Sequence, residues 1–207
     1  MRLFYILITT IVFQWLVYCG RADIATNNTL AAPETKAPSE VDVAVSILGN
    51  LYKDTIQSKV PLVIESELSS GMLPEPTKKS LLAEASKEIP KDLILDYCDK
   101  NSKPQLVWTN LPNKLRVIFI TKDEQKSLFS SEPGHKPDGW DKFYTKYPKS
   151  PGIITISRVG FNKAGDMAMI YIGNQYHWLA GHGGIQIFRK QNGKWVWLTG
   201  IGGQWVS

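Results

Sequence analysis

Residues 184–199 read GIQIFRKQNGKWVWLT, a stretch in which apolar residues flank one tight-turn signal. That signal is Asn192-Gly193, a pair typical of two-residue type I′ turns because both turn positions need a positive backbone φ angle. The stretch therefore predicts a β-hairpin in which Gln191 lies opposite Lys194.

This register gives the hairpin one aromatic face and one aliphatic face. Phe188 lies opposite Trp197, and Lys190 lies opposite Trp195. The other face is typical of a core and carries Ile185, Ile187, Val196 and Leu198. Exposed aromatic rings stack on sugar rings or hold apolar side chains. We therefore predict a ligand platform made by the aromatic residues of the hairpin and the preceding loop: Tyr176, Trp178, Phe188, Trp195 and Trp197. The alternative is that helices cover these rings as part of the core.

Alternating patterns continue on both sides of the hairpin. Residues 152–161 and 166–172 predict two strands joined by a four-residue turn, and a last strand is predicted to include Trp205 and Val206. Together these segments predict a C-terminal antiparallel β-meander of four to five strands.

Helical patterns dominate the first half of the chain. Ser39, followed three residues later by Asp42, is typical of a helix N-terminus and begins a helix predicted over residues 40–57. Helices are predicted over residues 78–86 and from Pro90, a short amphipathic segment around Trp140, and strands over residues 60–64 and 115–120. Helices that come early and strands that come late predict one α+β domain, residues 39–207, with the N-terminal helices packed on one face of the antiparallel meander.

The first 22 residues have the pattern of a secretory signal peptide. Arg2 precedes an apolar run from Leu3 to Cys19, and small residues surround a cleavage position after Ala22. An uncleaved N-terminal anchor is the alternative, because the run has about 17 residues and about 20 span a bilayer. Both interpretations predict an extracytoplasmic protein, periplasmic or secreted. Residues 23–38 are small, polar and proline-containing, which predicts a flexible tether.

Cys19 permits a third interpretation, a lipidated N-terminus. Residues 16–20 read LVYCG and resemble a bacterial lipoprotein box, although Tyr18 stands where a small residue normally precedes the cysteine. Cys98 is the other cysteine of the chain, so cleavage after residue 22 leaves no internal disulfide. We expect Cys98 to be a small buried apolar residue.

Composition argues against several classes of function. The 207 residues carry a net charge of +5. The lysines are spread along the chain and mixed with acidic residues, so they do not form the basic stripe of a nucleic-acid-binding protein. Sequence motifs for a phosphate-binding loop, a nucleophile elbow or a zinc protease are absent from the chain. We therefore expect no nucleic-acid partner and no cofactor, and membrane contact only through an uncleaved or lipidated N-terminus.

Residues 176–184 read YHWLAGHGG and carry two of the three histidines. The segment contains no cysteine or acidic residue that would complete a metal site, so we expect no metal. An alternative function is an extracytoplasmic hydrolase whose catalytic site combines Arg158, His177 and His182 with a carboxylate from the helical part.

A set of residues in the last third forms a pattern: Tyr147-Pro148, Ser150, Gly152-Ile153, residues 157–162 (SRVGFN), Ala180-Gly181 with Gly183, Asn192-Gly193 with Trp195, and Trp205 with Ser207. With this pattern, residues 138–207 resemble a family of uncharacterised exported bacterial proteins. The resemblance implies a bacterial, extracytoplasmic setting and carries no activity with it. We therefore predict an exported or envelope-associated, non-catalytic module that binds a glycan, peptide or protein partner.

Overall fold

The computed structural model describes residues 38–68, 78–103, 105–106, 115–130 and 136–207. The predicted export segment and residues 23–37 of the predicted tether lie outside these ranges. Within them, no helix is long and apolar enough to cross a membrane.

The described ranges form six helices and nine strands. The helices are α1 (Glu40–Leu51), α2 (Lys53–Gln57), α3 (Lys78–Ala83), α4 (Lys91–Lys100), α5 (Lys122–Leu128) and α6 (Gly139–Lys146). The strands are β1 (Leu62–Glu65), β2 (Glu67–Leu68), β3 (Gln105–Leu106), β4 (Val117–Ile120), β5 (Ile153–Ile156), β6 (Gly160–Phe161), β7 (Met167–His177), β8 (Ala180–Gln191) and β9 (Lys194–Val206).

The main sheet has the strand order β4-β1-β5-β7-β8-β9, and the short strand β6 also pairs with β7. β1 is parallel to both β4 and β5, whereas β5, β7, β8 and β9 are antiparallel neighbours. The α+β class is therefore confirmed. The sheet is larger than the predicted meander and mixed, because helical connections bring β4 and β5 back to run beside β1 in the same direction.

Local sequence signals predict where α1 begins, but not where two of the predicted elements are interrupted. The Ser39 hydroxyl accepts a hydrogen bond of 3.4 Å from the amide of Asp42, as the predicted cap requires. The helix predicted over residues 40–57 is divided at Tyr52 into α1 and α2. The strand predicted over residues 152–161 is likewise divided into β5 and β6. The interruption lies at Ser157, whose hydroxyl accepts a hydrogen bond of 2.8 Å from the amide of Tyr171.

Helices cover both faces of the sheet, so the prediction that they lie on one face is wrong. On one face, α1 packs on β1, β5 and β7 through four buried residues: Val43, Ala44, Ile47 and Leu48. On the other face, α3 and α4 cover β7 and β8, while α6 covers β1 and β5. The β8 and β9 strands therefore meet the edge of α1 on the first face.

An ion pair fixes the first residue of α1 to the sheet. Nε of Arg158 lies 3.1 Å from Oε2 of Glu40, and Nη2 lies 2.6 Å from Oε1 of the same carboxylate. A bidentate arginine–carboxylate pair defines orientation as well as distance. The N-terminus of α1 is therefore held against the link between β5 and β6.

Gly160 and Gly49 provide a matched test of this packing. A Cβ at Gly160 would lie 2.6 Å from the backbone nitrogen of Tyr97 in α4, whereas a Cβ at Gly49 in α1 would make an ordinary contact of 3.7 Å with Leu115. We expect Gly160→Ala to lower the free energy of unfolding by about 1–3 kcal/mol or more, since backbone must move to admit the methyl group.

Urea denaturation measures both effects. Gly49→Ala is expected to raise the free energy of unfolding by about 0.5–1 kcal/mol, because alanine loses less backbone entropy than glycine in a helix. Equal free energies for the two variants would contradict the close contact between α4 and β6.

Candidate functional site

The predicted hairpin register is confirmed residue by residue at the turn. Gln191 pairs with Lys194, Lys190 pairs with Trp195, and the ladder continues to Phe188 opposite Trp197. Asn192 and Gly193 have φ angles of 50° and 78°, as the turn requires. Trp195 and Trp197 therefore lie on one face of β9.

A β-bulge then changes which residues of β9 share that face. Phe188 pairs with Trp197, but its neighbour Ile187 pairs with Thr199, so Leu198 has no partner on β8. One extra residue reverses the alternation of side chains along the strand. Ile201 therefore joins the opposite core, while Gln204 comes to the same face as Trp197.

A groove of about 510 Å³ lies on this face, between the end of α1 and strands β7, β8 and β9. We call it the β8–β9 groove. Its apolar lining residues are Leu51, Tyr52, Ile172, Phe188, Trp197, Trp205 and Val206. Its remaining lining residues are Asn174, His182, Gly183, Gln186 and Gln204.

Two glycines make room for a polar side chain in the groove. A Cβ at Gly200 would lie 2.0 Å from Nε2 of Gln204, and a Cβ at Gly184 would lie 2.9 Å from its Cγ. The Gln204 side chain therefore lies across a surface without side chains of its own. A larger residue at either glycine would displace this amide.

Asn174 is the most deeply buried polar residue of the groove. Its side chain is 6% exposed, and its Oδ1 atom has no hydrogen-bond partner. A buried acceptor without a donor is rare in folded proteins, because the group has lost its bonds to water. Asn174 pairs with His182 across the strands, so an unsatisfied amide and an imidazole lie next to each other in the groove.

Trp197 is held in a defined orientation while its ring remains in contact with solvent. The side chain is 56% exposed, and its Nε1 atom donates a hydrogen bond of 2.7 Å to Oε1 of Gln186. Phe188 beside it is buried and belongs to the core. The groove therefore has a fixed, exposed indole above an apolar floor.

The phenol of Tyr52 closes the end of the groove near α1. Burial raises the pKa of Tyr52 to about 12, because a phenolate would lose its hydration there. The hydroxyl therefore remains protonated and uncharged through the physiological pH range.

The predicted aromatic platform is divided between the groove and the core. Phe188 and Trp197 line the groove, whereas Trp195 is only 6% exposed and packs against Phe161 at 6.3 Å between ring centroids. The alternative that helices cover the rings therefore describes Trp195 and not Trp197.

Trp178 and Tyr176 lie outside the groove lining. Nε1 of Trp178 donates a hydrogen bond of 3.2 Å to Asp138, the residue that caps α6, and its ring packs against Phe129. Tyr176 is half-exposed, and its carbonyl oxygen accepts a hydrogen bond from the hydroxyl of Tyr144. Both residues therefore have contacts that attach the β7–β8 turn to α6.

The three residues of the alternative hydrolase site are not brought together. Arg158 follows Ser157, whose amide bonds to Tyr171 on one side of β7, while His182 lies opposite Asn174 on the other side. The positions of Arg158 and His182 differ by three residues along the strand direction, about 10 Å, and by two strand spacings across the sheet, also about 10 Å in total. The guanidinium of Arg158 is also bound by Glu40.

The second histidine does not complete such a site either. His177 is exposed near the end of β7 and pairs with Ala180, whereas His182 lines the groove. Within the described ranges, no three histidine, cysteine, aspartate or glutamate residues form a cluster that could hold a metal ion.

The three amide residues of the groove, Asn174, Gln186 and Gln204, were not predicted from the sequence. Asn174 and Gln186 lie on strands whose apolar pattern dominates, and Leu51 reaches the groove only because of where α1 packs. One signal was available, the sequence Gly200-Ile201-Gly202-Gly203 in the last strand. Glycines inside a strand often mark bulges and close approach of other groups.

No protein-family model, curated protein or solved structure matches the chain significantly. The resemblance to exported bacterial proteins therefore stays a prediction, and the site is interpreted from its own geometry.

The two hairpin tryptophans should differ sharply in their contribution to stability. We expect Trp195→Ala to lower the free energy of unfolding by about 3–5 kcal/mol, because it leaves a cavity in the core. Trp197→Ala should lower it by less than about 1 kcal/mol, since an exposed ring and one hydrogen bond are lost. Urea denaturation monitored by circular dichroism measures both, and similar losses would contradict the exposure of Trp197.

Proposed function

We propose that the chain is an exported or envelope-associated, non-catalytic binding module that takes its ligand in the β8–β9 groove. The observation that carries the proposal is the exposed indole of Trp197, oriented by its hydrogen bond to Gln186, in a groove that the amide of Gln204 also lines. Small-molecule sites typically combine an apolar surface with a few converging polar groups. The groove has both.

The chemistry of the lining favours binding over hydrolysis. Covalent hydrolysis needs a nucleophile within hydrogen-bond reach of a base. Among the lining residues that the structure describes, there is no serine, threonine, cysteine, aspartate or glutamate beside His182. The groove therefore offers shape and hydrogen bonds, which support recognition without turnover.

The apolar part of the groove supports the same proposal. Leu51 and Val206 are exposed large hydrophobic residues on opposite sides of it, and Trp197 lies along the same opening. Exposed apolar groups that converge on one concavity are typical of interaction sites. A bound ligand would remove these side chains from water.

Tryptophan fluorescence of the purified protein tests the proposal directly. A panel of soluble glycans, cell-wall fragments and peptides is titrated, and we expect one class to give a saturable change. Trp197→Ala should abolish that change and leave the fold intact, because the ring contributes to the groove and little to the core.

Leu179→Ala is the matched control. Leu179 is 82% exposed in the turn between β7 and β8 and does not line the groove. Its variant should bind as the unaltered protein does. Binding that survives Trp197→Ala, or that is lost equally in Leu179→Ala, would refute the groove as the site.

The export part of the proposal rests on residues 1–22 and has its own test. Expression in a bacterial host, followed by intact-mass measurement and N-terminal sequencing, should give a mature protein that begins at Asp23. A retained Met1 would show an uncleaved anchor, and a lipid-modified Cys19 would show a lipoprotein. Either result would contradict cleavage after Ala22.

A further inference from the structure

We propose that the ligand of the β8–β9 groove is a neutral oligosaccharide, with one sugar ring stacked on Trp197, hydroxyl groups bound by the amides of Gln186 and Gln204, and the sugar chain extending along the strands toward His182. The inference rests on the proposed binding function and names its ligand class. Three independent features of the groove favour uncharged sugars over other ligands.

The first feature is charge. None of the lining residues within the described ranges is aspartate, glutamate, lysine or arginine, and the phenol of Tyr52 is protonated. A cation that entered the groove would lose hydration without gaining a residue of opposite charge, and an anion would meet only the imidazole of His182. The lining therefore selects against acidic sugars, phosphorylated ligands and charged peptides.

The second feature is the set of amides. A carboxamide offers two donor hydrogens and an acceptor oxygen, and a sugar hydroxyl offers one donor and two acceptor positions. The side chain of Gln204 is exposed and lies over Gly184 and Gly200. Oε1 of Gln186 already accepts from Trp197, so its amino group is left to donate.

The third feature is the exposed indole. The C–H face of a pyranose ring is apolar and flat enough to pack on an aromatic ring. Trp197 cannot rotate freely because its Nε1 atom is bound to Gln186. A ring held beside the amides of Gln186 and Gln204 matches a ligand that is apolar on its face and polar around its edge. The volume of about 510 Å³ falls within the range of about 300–1,000 Å³ that small-ligand pockets occupy.

The edge of the sheet argues against an extended peptide. β9 is the last strand of the main sheet, where a peptide would add as a further strand. Its ladder is interrupted by register shifts at Leu198 and around Gly202-Gly203. The amide of Gly202 also donates to Oε1 of Glu84 at 2.9 Å. Bulges and occupied amides of this kind block regular strand addition.

The test compares ligand classes in one assay. The purified protein is titrated with cellotriose, maltotriose and triacetylchitotriose, with the acidic trisaccharide trigalacturonate, and with an uncharged tripeptide blocked at both ends. We expect at least one neutral trisaccharide to give a saturable change in tryptophan fluorescence. Trigalacturonate and the peptide should give none.

Variants of the amides then test the contacts. Gln204→Ala should weaken binding of that trisaccharide at least tenfold without lowering the melting temperature, because the side chain is exposed and lies over two glycines. Gln186→Ala should weaken binding in the same direction, because it removes the amide that orients Trp197. Gln191→Ala, which removes an exposed amide at the end of β8, is the control and should bind normally.

The outcomes separate this inference from the function on which it rests. The proposal of a neutral glycan ligand is overturned if the peptide or trigalacturonate binds more strongly, or if no neutral trisaccharide gives a response. Unchanged affinity of both Gln204→Ala and Gln186→Ala also overturns it, because the two amides would then make no contact with the ligand. Trp197-dependent binding of a ligand of another class would refute the glycan and leave the proposed binding function intact. Absence of any Trp197-dependent binding would refute both proposals.

Discussion

The ion pair between Arg158 and Glu40 holds the first residue of α1 at the sheet, where the buried face of the helix packs, and the position of α1 determines what the sheet leaves open. Glu40 is the first residue of α1, and both oxygens of its carboxylate contact the guanidinium. From that point a helix of 12 residues extends about 18 Å. It covers β1, β5 and β7, and its last residue, Leu51, forms one side of the groove. The same helix therefore supplies part of the core and part of the groove lining.

The bulge at Leu198 determines which residues of β9 line the groove. A regular β9 would alternate without interruption, and Gln204 would then face away from Trp197. The extra residue brings the aromatic and amide groups to one face and sends Ile201 to the opposite core. Glycines at positions 184 and 200 leave the space that the Gln204 side chain occupies. Shape and chemistry of the groove thus follow from a local irregularity in one edge strand.

Local signals predicted the elements well where neighbouring residues decide the outcome. The Ser39 cap and the hairpin register follow from interactions within a few residues, and the structure confirms both. The parallel arrangement of β1 with β4 was missed, because it pairs Leu62 with Val117, two residues far apart in the chain. The short helix α5 was also missed, although Thr121 caps it through the amide of Glu124, since its seven residues show little apolar periodicity.

The sequence by itself determined the α+β class, the tight turn at Asn192-Gly193 and the aromatic character of the hairpin, because each depends on composition or on short-range geometry. Only the tertiary structure decided that Trp195 is buried while Trp197, two residues later on the same face, remains exposed. It also placed Asn174, Gln186 and Gln204 around one groove. The physical reason is that burial depends on which distant element packs on a strand, and alternation along the strand cannot show that.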